Sequence, residues 1–319
     1  MSDIEDNSTV HFADVAAECD RLVESIRDAA RRFRRLGAVV ALSGGIDSSV
    51  CLGLAVRALG ANRVKALTLP DQESSTETVG LAQEVADRFG VPLETRDITP
   101  VLDALGCYRD RLAVVERIDP EFDPVTDAFS VEFVPATGES NRMQSFALNV
   151  VRGGSAIHHR LGGRDFLTIM AATNQKQRVR MLMTYRVADE NNLLVIGTSN
   201  RLELDQGFYV KHGDGCGEVF PLSKLLKTQV YDLAAHLGVP ESVQRRPPTT
   251  DTFSAPQTQE EYFYGTTVET GDRLWLAWYE GASAEAAAAL LGLGASDVEK
   301  FFELYQRRAH YADYLRETL

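Results

Sequence analysis

The chain has 319 residues and carries 33 Lys and Arg against 46 Asp and Glu, a net charge of −13; such an acidic balance argues against a nucleic-acid backbone as main partner, because domains that bind one show a basic surplus. With 44% hydrophobic and 25% charged residues the composition is that of a globular protein long enough for a sizeable core. The cysteines Cys19, Cys51, Cys107 and Cys216 form no CxxC pair, the start "MSDIEDNSTVHF" has neither basic nor apolar leader character, and no apolar run nears the ~18 residues of a membrane span, so free thiols, a cytoplasmic location and no membrane contact are expected.

In chain order, apolar residues at helical spacing (Phe12, Val15, Ala16, Cys19, Leu22, Val23, Ile26) predict a helix within 12–35, with Asp3, Asp6 or Ser8 at or before its start. Its tail "RRFRR" reads as a solvated helix end. "AVVAL" is a short apolar run suited to a buried parallel strand. A Gly/Ser loop follows, and "SSVCLGLAVRALG" predicts a helix closing at Gly60. "RVKALTLP" is a second strand. "TETVGLAQEVADRFG" is a helix capped by Ser75 or Thr76 and stopped at Gly90, and "LETRDI" is a third strand. After Asn174 come the helix "QKQRVRMLMTYRVADE" and a fourth strand in "NLLVIGTS". Strands alternating with helices predict a parallel α/β sheet.

Between Thr99 and Asn174 the pattern weakens. "RIDPEFDPVTDAFSVEFVPATGES" is rich in Pro, Asp and Thr, and "VVRGGSAIHHRLGGRDF" in Gly. The expectation is an irregular insert at about 100–173 inside a single domain spanning 1–319, with its core at 36–260 and a helical region at 261–319. His158 and His159 are adjacent, so they face different sides and a shared metal is not expected. Trp275, Trp278 and Tyr279 suit one helix face, in core or dimer packing. No internal repeat is visible.

The stretch "SGGIDSS" (43–49) carries the chemistry. Glycines let the backbone approach oxygen atoms closely, and the following helix start supplies unpaired N–H groups and positive potential. Serine hydroxyls add donors. Asp47 would repel phosphate there unless it holds a metal ion that bridges the two, which makes it a magnesium ligand facing a pyrophosphate. A tight turn with an Asp cap is the bland alternative for a Gly-Gly pair alone; the whole string favours phosphate. Neither GxxxxGK[ST] nor G-x-G-x-x-G is present.

"SGGIDSS" resembles the PP-loop of the N-type ATP pyrophosphatases, which adenylate an oxygen, release pyrophosphate and let a nucleophile displace AMP. The group includes NAD, GMP, asparagine and argininosuccinate synthetases and tRNA-thiolating enzymes. "NQKQRVRM" (174–181) resembles the N-x-K-A-R-x-R-M segment of the NAD synthetase family. "GTSNRLELDQGFYVKHGDG" (197–215) resembles its G-T-x-x-x-x-E-x-x-x-G-F-x-x-K-Y-G-D-G segment, and "PLSKLLKTQVYDLAAHLGVP" and "PPTTD" follow in the family's order. The likeness covers 36–100 and 174–260, about half of the chain.

The resemblance implies an adenine nucleotide α-hydrolase-like (Rossmann-like) fold, a parallel sheet with helices on both faces and helical terminal extensions. It implies that Ser43, Gly44, Gly45, Asp47, Ser48, Ser49, Thr198, Lys227 and Thr249 contact ATP. Asp47 and Glu203 would hold magnesium, and Asp47, Glu203 and Lys227 would serve catalysis. Arg178, Lys211, Glu218 and His310 would face deamido-NAD. The residues agree in kind. Glu203 follows a strand end, where open α/β sheets bind ligands. Two carboxylates beside phosphate need a shared cation, and lysines stabilise a departing pyrophosphate. Standing alone, Glu203, Lys211 and Lys227 would each read as surface charges, and Gly213 and Gly215 as turn residues.

The departures cluster on the acid side. Glu218 replaces the family's Asp, "QTQE" places Gln259 where the family has Asp, the following block becomes "YFYGTTVETGDRLW", and the family's His-Lys becomes His310-Tyr311. The ATP side is almost unaltered. The leading expectation is therefore an ammonia-dependent ligase that adenylates deamido-NAD and converts the adenylate to an amide. The alternatives are a paralogue that amidates another carboxylic acid, a non-catalytic nucleotide-binding protein, and, more distantly, a tRNA-thiolating enzyme. No glutaminase arrangement stands out, so ammonia would come free or from a separate glutaminase. The resemblance also implies a homodimer with the acid site near its interface, and the insert reads as a mobile loop shielding the adenylate.

Overall fold

The computed structural model describes residues 10–134, 145–247, 252–255, 258 and 265–316. Helix α1 (Val15–Arg32) starts at Asp14, whose carboxylate accepts the Ala17 N–H at 3.0 Å. The cap is thus Asp14; Asp3, Asp6 and Ser8 lie outside the described residues. Strand β1 (Gly37–Ala41) leads through the glycine loop into α2 (Ile46–Leu59), which Gly60 ends as expected. Then come β2 (Val64–Thr68), α3 (Thr76–Arg88) behind the Ser75 cap, β3 (Leu93–Thr95), α4 (Thr99–Ala104) and α5 (Cys107–Ile118).

The segment expected to be irregular is built instead from α4, α5 and an antiparallel sheet: β4 (Ala128–Val134), β5 (Ser145–Arg152) and β6 (Ser155–Leu161). Over the described residues, this corrects the reading of 100–173 as irregular. The β5–β6 hairpin turns through Gly153 and Gly154, whose φ angles of 57° and 81° suit a two-residue turn with both central residues left-handed. His158 and His159 fall on opposite faces, beside Glu132 and Asp119 respectively.

The long α6 (Gly163–Asn191) returns the chain to β7 (Leu193–Ile196). The remaining helices are α7 (Arg201–Gln206), α8 (Lys227–Leu237), α9 (Glu241–Arg245), α10 (Val268–Tyr279), α11 (Ala284–Leu291) and α12 (Ala295–Arg316). The four-stranded sheet has the order β3-β2-β1-β7, all parallel.

Strand alternation decides which helices cover each face. Ala38 and Val40 of β1 join a core with α1, α2, α3 and α8, while Val39 joins the opposite core with Val179 and Val187 of α6. Helix α2 is apolar nearly all round and fully buried at Val50, Cys51, Leu52, Leu54 and Ala55, as a helix in the middle of a fold must be. The terminal helices form a third core around Leu274 and Trp275, and the antiparallel sheet a fourth around Val131 and Leu148. Trp275 is in the core, as one reading of the Trp275–Tyr279 face expected, while Tyr279 is exposed and stacks on Trp275 at 4.9 Å.

Candidate active site

Strands β1 and β7 are neighbours, and their C-terminal ends open into two polar loops, 42–45 and 197–200. In the first, Gly44 has φ 73°, and a Cβ there would meet the Thr78 carbonyl oxygen at 2.5 Å, so no other residue fits. Gly45 is the N-cap of α2 and offers no side chain. The helix's first-turn N–H groups therefore keep their positive potential for a ligand. Ser48 and Ser49 turn inward, both donating to the Gly45 carbonyl at 3.1 and 2.8 Å, and Ser48 also receives the Ser43 N–H at 3.2 Å. Both side chains shape the loop from beneath, while the Ser43 hydroxyl meets Ser48 at 3.1 Å.

Asp47, one residue into α2, pairs with Lys227, the first residue of α8, which is 1% exposed. Its second oxygen accepts from the Asn200 side-chain amide at 3.1 Å. Asn200 also caps α7. Its Oδ1 accepts the Glu203 N–H at 3.1 Å, and its own N–H donates back to Glu203 Oε2 at 3.1 Å. One fully buried asparagine thus links both carboxylates. Thr198 is half-buried in the same loop.

Burial pushes the Glu203 carboxyl up to about 8; Asp47 adds to the rise and Lys227 opposes it. Burial works against the Lys227 charge, yet Asp47 and Glu203 hold it above the ordinary lysine range. The Cys51 thiol below the loop is pushed up by burial and by the same two acids. Asp214 is raised by burial, against the Val210 N–H that it accepts at 2.7 Å. Burial is the first cause of the Glu203 rise and repulsion by Asp47 the second, so added positive charge beside the pair would favour the ionised form. Among the described residues no group of three His, Cys, Asp or Glu gathers as a metal cage. Asp47 and Glu203, linked through Asn200, offer hard oxygen donors that could hold a cation whose other ligands come from phosphate and water.

The sequence-derived acid-side residues are placed differently. Arg178 donates to the Lys211 carbonyl at 3.3 Å. Lys211 Nζ donates to the Tyr314 carbonyl at 3.3 Å and lies 5.2 Å above that ring. His310 is exposed on α12, and Tyr311 rests against Gly207. Glu218 binds Arg35 at 2.7 Å and the Val195 N–H at 2.8 Å. Arg35 precedes the first residue of β1, so the Glu218 carboxylate points back along the sheet, away from the glycine loop, which sits at the other end of β1. Thr249 and Gln259 lie outside the described residues.

Two groups were missed. Asn200 was readable, because N-x-x-E before a short helix is a capping-box pattern. The other is a buried network behind the site. Lys176, 1% exposed, donates to Asp71 at 3.0 Å and Glu73 at 2.7 Å; Arg180 donates to Asp71 at 2.9 Å; Arg111, also 1% exposed, binds Glu73. Arg180 also donates to the Leu69 carbonyl at 3.1 Å, so the network pins α6 to the end of β2. Lys176 and Arg180 lie inside the quoted motif, but their partners are a hundred residues away in sequence.

The model of the family described as NAD synthase matches residues 18–113 and 147–313. The NH(3)-dependent NAD(+) synthetase of Rhizobium rhizogenes is 42% identical over 297 residues, 92% of this chain and 89% of that one. The enzyme of the same name from Thermotoga maritima is 34% identical over 232 residues, 73% of this chain and 77% of its own. Among solved structures, NMN synthetase from Francisella tularensis aligns with TM-score 0.65 at 22% identity, covering 97% of this chain and 98% of its own. NH3-dependent NAD synthetase from Campylobacter jejuni aligns at 0.63 and 20%, with the same coverages. These two likenesses speak to the fold alone.

Proposed function

The chain belongs to the NAD synthase family, and from that premise we propose that it is an ammonia-dependent carbon–nitrogen ligase acting on deamido-NAD. The observation that carries the reading is the meeting of Asp47, Glu203 and Lys227 at the mouth of the glycine loop. Nothing among the relatives favours another acid or a non-catalytic role.

In the proposed reaction a substrate carboxylate oxygen attacks the α-phosphorus of ATP, and the bond from that phosphorus to the bridging oxygen breaks. Pyrophosphate leaves with the bridging electrons. Ammonia then attacks the acyl carbon, AMP departs with the carboxylate oxygen, and the nitrogen loses a proton to become the amide. The backbone N–H groups at the start of α2 receive phosphate oxygens, with Ser43, Gly44 and Gly45 allowing close approach and Ser48 and Ser49 keeping the loop in shape. Lys227, held beside Asp47, faces the developing charge on pyrophosphate. Magnesium, held by Asp47 and Glu203, would offset phosphate charge and restore the ionised form of Glu203. Thr198 and Thr249 complete the ATP contacts. Arg178, Lys211 and His310 supply positive or hydrogen-bonding groups to the acid substrate, while Glu218 is bound to Arg35 and the Val195 N–H.

Ammonia would arrive free or from a separate glutaminase. Exposed apolar residues on α6 and α12 (Leu167, Leu182, Tyr311 and Tyr314) support a homodimer. Among the described residues no helix is long and apolar enough to cross a membrane, which is compatible with the cytoplasmic location proposed.

The test supplies ATP, magnesium and ammonia and measures pyrophosphate release with deamido-NAD against a panel of carboxylic acids. Release that depends on deamido-NAD, with NAD formed in equal amount, is expected. Release with another acid only would overturn the assignment.

A further inference from the structure

Lys227 must hold its ammonium beside Asp47 from the first position of α8, and its own helix does not secure that position. The residue before it, Leu226, is the N-cap and carries no acceptor. Leu226 is 3% exposed and belongs to the core around Trp275, so packing rather than capping accounts for a leucine there. Gln229 returns to the Leu226 N–H at 3.0 Å, which satisfies the cap's own donor and leaves the first-turn donors to find partners elsewhere.

A partner comes from another helix. Asp272 on α10 is 0% exposed, and its Oδ2 accepts the Thr228 N–H at 2.7 Å. The Lys227 charge also favours this carboxylate's ionised form against its burial, while Oδ1 is buried with no hydrogen-bond partner among the described residues. The Thr228 hydroxyl donates to the Val10 carbonyl at 2.6 Å, fastening the same turn from a third side. A buried carboxylate is costly without such partners, and the chemistry described so far gives Asp272 no part.

We propose that Asp272 is a positioning residue for the adenylation step: it caps α8 from α10 and so fixes the backbone from which Lys227 reaches Asp47 and the departing pyrophosphate. It touches no reacting atom. The inference rests on the function proposed above, because it is through Lys227 that Asp272 would act. Three tiers are thereby joined, the terminal helices to α8, α8 to the glycine loop, and the loop to ATP. Truncating Asp272 leaves the lysine chemically intact on a loosened first turn, and a displacement of an ångström in a charge-stabilising group is costly to the rate.

The test compares Asp272→Ala and Asp272→Asn with the wild-type chain in ATP affinity by calorimetry and in steady-state pyrophosphate release per titrated active site. Asp272→Ala should lower kcat by about 10- to 100-fold, weaken ATP binding, and leave KM for deamido-NAD within twofold. Asp272→Asn keeps an acceptor oxygen of the same reach and should recover kcat to within about threefold of wild type. Should Asp272→Ala not fold, Asp272→Ser, too short to reach Thr228, takes its place with the same expectation. A merely structural role would lower Tm and the active fraction while kcat per active site and ATP affinity stay at wild-type values, and that result would overturn the inference. The proposed function fails separately. If the wild type binds ATP but releases no pyrophosphate with deamido-NAD, the substrate assignment falls while the ratio of ATP affinities still decides on Asp272. A wild-type chain that binds no ATP would overturn both.

Discussion

The two sides of the site differ in how far they are finished. On the side proposed for the nucleotide, Asp47, Asn200, Glu203 and Lys227 form a closed set, with Asn200 and Lys227 buried and their contacts made between side chains or caps. On the side proposed for the acid, the hydrogen bonds of the Arg178 and Lys211 side chains among the described residues go to carbonyl oxygens at 3.3 Å, and His310 is exposed. A transferring phosphate needs donors and charge placed before it arrives, since reorganising them during the step adds to the barrier. A bound acid can order exposed side chains as it binds. On the proposed function, one half of the chemistry is prebuilt in the chain and the other awaits its substrate.

The largest effect should come from breaking the prebuilt half. Asp47→Asn keeps the size and the hydrogen bonding toward Asn200 but removes the charge that Lys227 faces. Pyrophosphate release should fall by about a thousandfold, with an unchanged circular dichroism spectrum and KM for deamido-NAD. Activity within tenfold of wild type would show that this acid is not the site's anchor.

A smaller effect sharpens the electrostatic side of the comparison. Glu203 is raised to about 8 from an ordinary 4.5, so the folded ligand-free chain holds a proton there that the unfolded chain has lost. The sign follows from linkage: this stability is fully present below pH 4.5 and is lost as pH rises through about 8. Glu203→Gln should therefore flatten the decline in Tm between pH 5 and 8. Binding magnesium–ATP should expel up to about one proton near pH 7, measured as a dependence of calorimetric heat on buffer ionisation enthalpy. Equal heats in all buffers would mean that Glu203 is already ionised.

The same division governs what the sequence made legible. The β1–α2 loop was readable because its residues act locally: Gly44 must be left-handed, Gly45 must expose backbone, and Asp47 is odd enough to demand a cation. The parallel sheet was readable from apolar runs of strand length. The antiparallel sheet was not. "SVEFV" and "SAIHHRL" alternate, but Pro and Asp crowd the approach to β4, and the Gly153–Gly154 turn signal was taken for looseness rather than for a hairpin. Glu218 kept a family acid's charge, yet only the fold shows it bound to Arg35 and the Val195 N–H. Nothing in the sequence marks Asp272, because a cap supplied by a different helix leaves no signal at either position.

The smallest expected effect probes the unfinished half. Among the described residues the Lys211 ammonium is held by the Tyr314 carbonyl and by the face of its ring, contacts exposed enough to be worth little to the fold. Lys211→Met keeps the stem and removes the ammonium, so Tm should move by no more than about 2 °C. If the ammonium meets the acid substrate in the ground state and the transition state alike, KM for deamido-NAD should rise about tenfold while kcat and KM for ATP stay put. A fall in kcat with KM unchanged would instead place Lys211 among the groups that act on the transition state, and would move the boundary between the prebuilt and the substrate-ordered halves to include it.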